Sequence, residues 1–78
     1  MKKKLTGADP SELRAQVRAR VNEIAVFANE KDDERAHVAE DDLFEEVLGK
    51  IARGCADPKS LASEVLKSKK IVFSRWCA

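Results

Sequence analysis

Five carboxylates stand together in this chain: Glu40, Asp41, Asp42, Glu45 and Glu46. Carboxylate oxygens in such numbers could hold a divalent cation. A calcium loop, however, turns its ligands inward from irregular backbone, with a glycine at the turn. Here Leu43-Phe44 interrupts the acids at helical spacing. The acids should therefore radiate from a helix as a solvated face, one able to dock a basic partner. Like charges on neighbouring turns repel and weaken the helix unless something neutralises them. His37 is the only histidine. A zinc site would have to join it to Cys55, Cys77 and a fourth ligand, without the close ligand pairs of structural zinc sites. No nucleophile or paired acid accompanies His37, which reads as an exposed residue early in a helix. Cys55 falls among apolar positions and reads as a small core residue. Cys77 would need a depressed pKa to react, and Lys69 and Arg75 are the nearby cations in sequence. No nucleophile–base pair, phosphate loop or metal set emerges. No catalytic residue, cofactor or metal is assigned, and the expectation is a protein that is not an enzyme.

These residues must be positioned by helices, and two Asp-Pro pairs show where helices begin. Asp9-Pro10 and Asp57-Pro58 each precede an amphipathic pattern. Asp accepts hydrogen bonds from the orphan N–H groups of a first turn. Proline suits the first helical position, where an N–H would have no partner. After Asp9, with Glu12 three residues on in a capping-box-like arrangement, Leu13, Val17, Val21, Ile24 and Ala28 recur at helical spacing, with Phe27 at the edge. Ala15, Ala19 and Val26 form a second, weaker strip on the opposite side. The polar run 29–33 reads as a connection. A second helix begins between Asp32 and Arg35, where acids suit the positive end of the helix dipole. Its apolar positions are Ala36, Ala39, Leu43, Phe44, Val47, Leu48, Ile51, Ala52 and Cys55. They cover more than half the circumference. One neighbour needs a stripe of about 100°, so helix 2 should be central. Leu43, Val47 and Ile51 should be its most buried residues. Gly49 weakens the helix and Gly54 can close it. The third helix shows Leu61, Ala62, Val65 and Leu66. Its continuation through Val72, Phe73 and Trp76, broken near Lys67–Lys70, is favoured over a lone strand from Ile71-Val72-Phe73. The expected architecture is all-α, three helices around helix 2 with a C-terminal tail that is helical or irregular. Residues 1–8 should be a flexible basic lead-in and residues 9–78 a single helical domain.

The chain has 78 residues, 44% hydrophobic and 37% charged. A chain this size buries only about 60–65% of its unfolded surface and is marginally stable. Its hydrophobicity is too high for disorder. The formal net charge is +1, but residues 40–46 carry net −5 and residues 47–78 net +5. No segment approaches the roughly 20 apolar residues of a membrane span. Lys2–Lys4 is similar to the start of a signal peptide, but no apolar core follows. A cytoplasmic location, with both cysteines reduced, is expected, and no membrane partner.

Trp76 is the only tryptophan. A large aromatic near a chain end is unfavourable unless it docks on the core or on a partner. With Phe73 and Arg75 it forms the candidate partner-binding set, because aromatics and arginine are enriched at interface centres. The run from Ser60 to Trp76 also resembles the helix-turn-helix of phage repressor-like proteins, through Leu61-Ala62, Ser68, Val72 and Ser74-Arg75-Trp76. It lacks the turn glycine, with Leu66 nearest its place, and is one residue longer. The resemblance implies phosphate contacts from Lys67, Lys69, Lys70 and Arg75. Two function classes follow. The first is a protein-binding regulator, inhibitor or adaptor, homodimeric, in the style of small bacterial or prophage proteins. The alternative is a DNA-binding regulator using residues 60–76.

Overall fold

The computed structural model describes residues 5–7 and 9–75. The order is α1 (Pro10–Asn29), α2 (Asp33–Ala52) and α3 (Pro58–Leu66), followed by a 3-10 turn (Lys67–Lys70), with no strand among the described residues. The domain is all-α, as the periodicity requires.

Each helix starts on an aspartate. The carboxylates of Asp9, Asp32 and Asp57 accept from the backbone N–H of Glu12 (2.8 Å), Arg35 (3.1 Å) and Ser60 (3.3 Å). Each bond satisfies one donor that the helix cannot. The ends of α1 and α2 close in the same way. The N–H of Lys31 donates to Ala28 O and that of Asp32 to Phe27 O; the N–H of Gly54 donates to Ile51 O and that of Cys55 to Lys50 O. This is the Schellman pattern, which needs a left-handed residue just past the helix. Gly54 provides it with φ +83°, and Lys31 is forced into it with φ +62°. The loop from α1 to α2 is short because Asp32 closes one helix and caps the next.

Leu13, Val17 and Ile24 of α1, Ala36, Leu43 and Val47 of α2, and Leu61 and Val65 of α3 fill the core. Each large side chain buried there contributes about 1.5–3 kcal/mol. Helix α2 packs on both α1 and α3, consistent with its central place, and α1 also reaches α3 and the 3-10 turn.

Three expectations need correction. Residues 1–8 were expected to be a flexible lead-in, but Leu5 is buried in the core. Its N–H donates to Glu46 (3.1 Å), and Thr6 and Gly7 donate to the Gln16 carbonyl oxygen. An apolar side chain and three satisfied amides fix the segment; residues 1–4 and 8 lie outside the described set. Ile51 is only half-buried, and Leu48 and Leu66 stay exposed. The wide arc of α2 therefore exceeds what its two neighbours cover. The third helix does break near Lys67–Lys70, but it does not resume. Ile71–Arg75 has no regular structure, because Ser68 and Arg75 anchor the turn to Glu40.

Candidate functional site: a tail clamp and an uncovered apolar face

Glu40 sits at helical spacing from Ala36, Leu43 and Val47, which places it on the buried face of α2. It is 3% exposed. The Arg75 guanidinium donates to both its oxygens, Nε to Oε1 at 2.8 Å and Nη2 to Oε2 at 3.0 Å. The Ser68 hydroxyl donates to Oε2 at 2.7 Å, and Lys69 Nζ lies 3.7 Å from Oε1. Arg75 Nη2 also donates to the carbonyls of Ser68 and Ile71, each at 3.2 Å. Burial pushes the Glu40 carboxyl up, but the bonds from Arg75 and Ser68, with the charges of Arg75 and Lys69, outweigh it and hold the group below its ordinary value. Glu40 is therefore an ionised carboxylate fully occupied by donors. Its bonds tie the tail residues Ser68 and Arg75 to α2.

Two further ion pairs link the elements. Arg20, buried in the apolar stripe of α1, donates to both oxygens of Glu46, at 3.2 and 3.0 Å. Glu46 also takes the Leu5 N–H, so this pair fixes the N-terminal segment. Glu64 accepts from Arg18 at 2.9 Å. Its other oxygen lies 3.2 Å from Lys67 Nζ without hydrogen-bond alignment. The Arg18 hydrogen bond leads the lowering of the Glu64 pKa; burial opposes it and Lys67 adds to it. The acidic run is thus not one solvated face. Glu40 and Glu46 turn inward to arginines, and Asp41 and Glu45 face water. Among the described residues no three His, Cys, Asp or Glu side chains gather as metal ligands. His37 Nε2 lies 3.5 Å from Asp41. Cys55 is a half-buried free thiol.

The expected partner set is divided. Phe73 packs against the core beneath the Arg75 guanidinium, 3.9 Å from its ring centre. Arg75 is committed to Glu40. Trp76 and Cys77 lie outside the described residues. Lys67, Lys69 and Lys70 are exposed on the 3-10 turn, the first beside Glu64 and the second beside Glu40 and the Phe44 ring. The segment that resembles a helix-turn-helix forms one helix, a 3-10 turn and an irregular strap. Residues 71–75 contain no second helix, and the arginine expected to contact phosphate points inward instead.

Among the described residues the large apolar side chains left exposed are Val26, Val38, Leu48, Leu66 and Val72. Leu48 is 63% exposed and Leu66 is 55% exposed. On α2, Phe44, Leu48 and Ile51 share one stripe at 100° per residue, and Cys55 follows beyond the helix end. Phe44 and Ile51 are half-buried beside Leu48. On α3, Ala62 and Leu66 are one turn apart. A groove of ≈ 540 Å³ lies between Leu5-Thr6 and Ala15, Ala19 and Arg20 of α1. Of its polar groups, Gln16 is engaged by Thr6 and Gly7 and Arg20 by Glu46; Glu23 lines it as well.

The chain matches no protein-family model, no curated protein and no solved structure. Its function is argued from these residues alone. Sequence spacing carried a signal for the ion pairs. Arg20 lies between Val17 and Ile24 in the buried stripe, Glu40 lies between Ala36 and Leu43, and Ser68 falls one turn after Val65 and Glu64 one turn after Leu61. A charged residue in a core register needs a buried partner.

Proposed function

We propose that this chain is a small, non-enzymatic protein-binding module, a regulator, inhibitor or adaptor, that works through the outer face of α2. One observation carries the reading: α2 already has two neighbours, and Leu48 is still 63% exposed beside the half-buried Phe44 and Ile51. An exposed leucine bordered by half-buried apolar residues supports a contact surface there. Phe73 and Arg75 contribute indirectly, by closing the core behind that face. The reading goes with a cytoplasmic location, where Cys55 stays a thiol. No helix among the described residues is long and apolar enough to cross a membrane.

DNA binding is less well supported, because only Lys67, Lys69 and Lys70 remain outward of the four expected contacts. Capture from nuclease-treated host lysate separates the two. The parent chain should retain specific proteins, and Leu48→Glu should lose them at an unchanged Tm. A Lys67→Glu/Lys70→Glu chain should keep them. Capture that vanishes with nuclease and with the lysine changes, and falls steeply with salt, would overturn the protein-binding reading in favour of the nucleic-acid one.

A further inference from the structure

The segment before α1 has a direction. Gly7 is pressed on the start of the helix, where a side-chain carbon would come within 2.9 Å of Glu12 Cβ and Leu13 N. Thr6 and Gly7 donate to Gln16, one turn on. Leu5 lies further along, where its N–H meets Glu46 and Glu46 meets Arg20. Followed from Gly7 back to Leu5, the backbone climbs α1 toward its C-terminal end. The two helices are joined by a short loop and run antiparallel across the Arg20–Glu46 pair. The next turn in the direction of climb therefore holds Glu23 on α1 and Asp42 on α2.

Both acids share a cavity with Leu5. Glu23 lines the groove of ≈ 540 Å³ beside α1, and Asp42 lines a second one of ≈ 300 Å³ beside α2, with Glu45 and Glu46. The cations of that second cavity, Lys50 and Arg53, lie one and two turns behind Glu46. Ahead of Leu5 each wall thus presents an acid, and behind it the α2 wall turns basic. Residues 1–4 continue directly from Leu5 and include Lys2, Lys3 and Lys4. Four residues reach about 13 Å at most, and a helical turn rises about 5.4 Å, so the lysines have the length to meet both acids.

We propose that the groove between α1 and α2 ahead of Leu5 is a docking site for the chain's own residues 1–4, with Lys2, Lys3 and Lys4 held against Glu23 and Asp42. Leu5 is the apolar anchor, and the lysines extend the contact by charge. The acidic run of α2 then serves both flanks of the chain: Glu40 receives Arg75, and Asp42 with Glu46 receives the segment before α1. This contact is independent of the one at Leu48.

A charge-reversal cycle on the full chain tests it, read by thermal melts at low ionic strength. Lys2→Glu/Lys3→Glu/Lys4→Glu and Glu23→Lys/Asp42→Lys should each lower Tm by about 4 °C. The chain with all five changes should recover at least half of the summed loss, and salt should shrink every difference. Backbone ¹⁵N relaxation reads the segment directly. Order parameters of residues 2–4 should be about 0.8 in the parent and below about 0.6 in either reversed chain. Losses that simply add in the five-change chain, reversed chains that melt like the parent, or parent order parameters below about 0.6 would each overturn the docking. The parent's order parameters decide the matter even where a reversed chain is too unstable to melt cooperatively.

Discussion

Arg75 is the residue whose environment most changes the expected picture. Its side chain was expected at a partner or on phosphate, and it spans Glu40, Ser68 and Ile71 instead. The acidic run of the sequence shows five carboxylates, but nothing in composition tells Glu40 from Asp41. Only the register of Ala36, Leu43 and Val47 does. The distance from Glu40 to Arg75 in sequence hides the pair further. Removing Arg75 leaves a buried carboxylate with an unneutralised charge, which is strongly destabilising. Arg75→Ala should cost about 3 kcal/mol, at the low end of that range because Arg75 itself is partly exposed. Tm should drop by about 10 °C or more, and an unchanged Tm would exclude the clamp. Acid should reveal the same node. Glu40 and Glu64 are both held below their ordinary value of 4.5. Their folded forms bind protons less readily than the unfolded chain does. The stability they provide is complete above about pH 4.5 and is lost as pH falls through their lower folded values. Glu40→Gln should give a less stable protein at neutral pH with a flatter acid limb below the ordinary carboxylate value of 4.5. A limb as steep as the parent's would place the acid sensitivity elsewhere.

Helix starts were legible because each rests on a local signal. Asp9-Pro10 and Asp57-Pro58 name their caps, and Asp32 does so through the acids behind it. Helix ends were less so. Gly54 is a recognisable terminator, but Lys31 takes the same left-handed role with no glycine to mark it. The end of α3 was ambiguous because it is set by distant groups: Ser68 and Arg75 reaching Glu40 outweigh the helical spacing of Val72 and Phe73. Asp57 carries two burdens, a cap and a left-handed backbone with φ +56°. Alanine there loses the cap, about 1 kcal/mol, and meets the left-handed penalty of about 1 kcal/mol more. Asp57→Ala should therefore cost about 2 kcal/mol and Asp57→Gly clearly less, because glycine adopts that conformation freely. Equal losses for the two would mean that backbone conformation contributes nothing at this position.

At the scale of the whole molecule, the all-α fold and most of the core could be read from periodicity. The width of the α2 arc was legible as well, although it did not say which residues would stay uncovered. Burial of Leu43 and Val47 followed the pattern, whereas Ile51 is half-buried and Leu48 exposed. The N-terminal segment was misread because one apolar residue, Leu5, carries no periodicity. The face left open by this packing is the basis for the proposed function. The central claim is that Leu48 anchors a protein contact in a homodimeric module. Sedimentation equilibrium of the parent and Leu48→Glu side by side, up to about 200 μM, tests it most directly. The parent's average mass should rise toward twice the monomer, while Leu48→Glu, folded with an unchanged Tm, should remain at the monomer mass. A parent that stays monomeric throughout, or a Leu48→Glu chain that associates as the parent does, would contradict it.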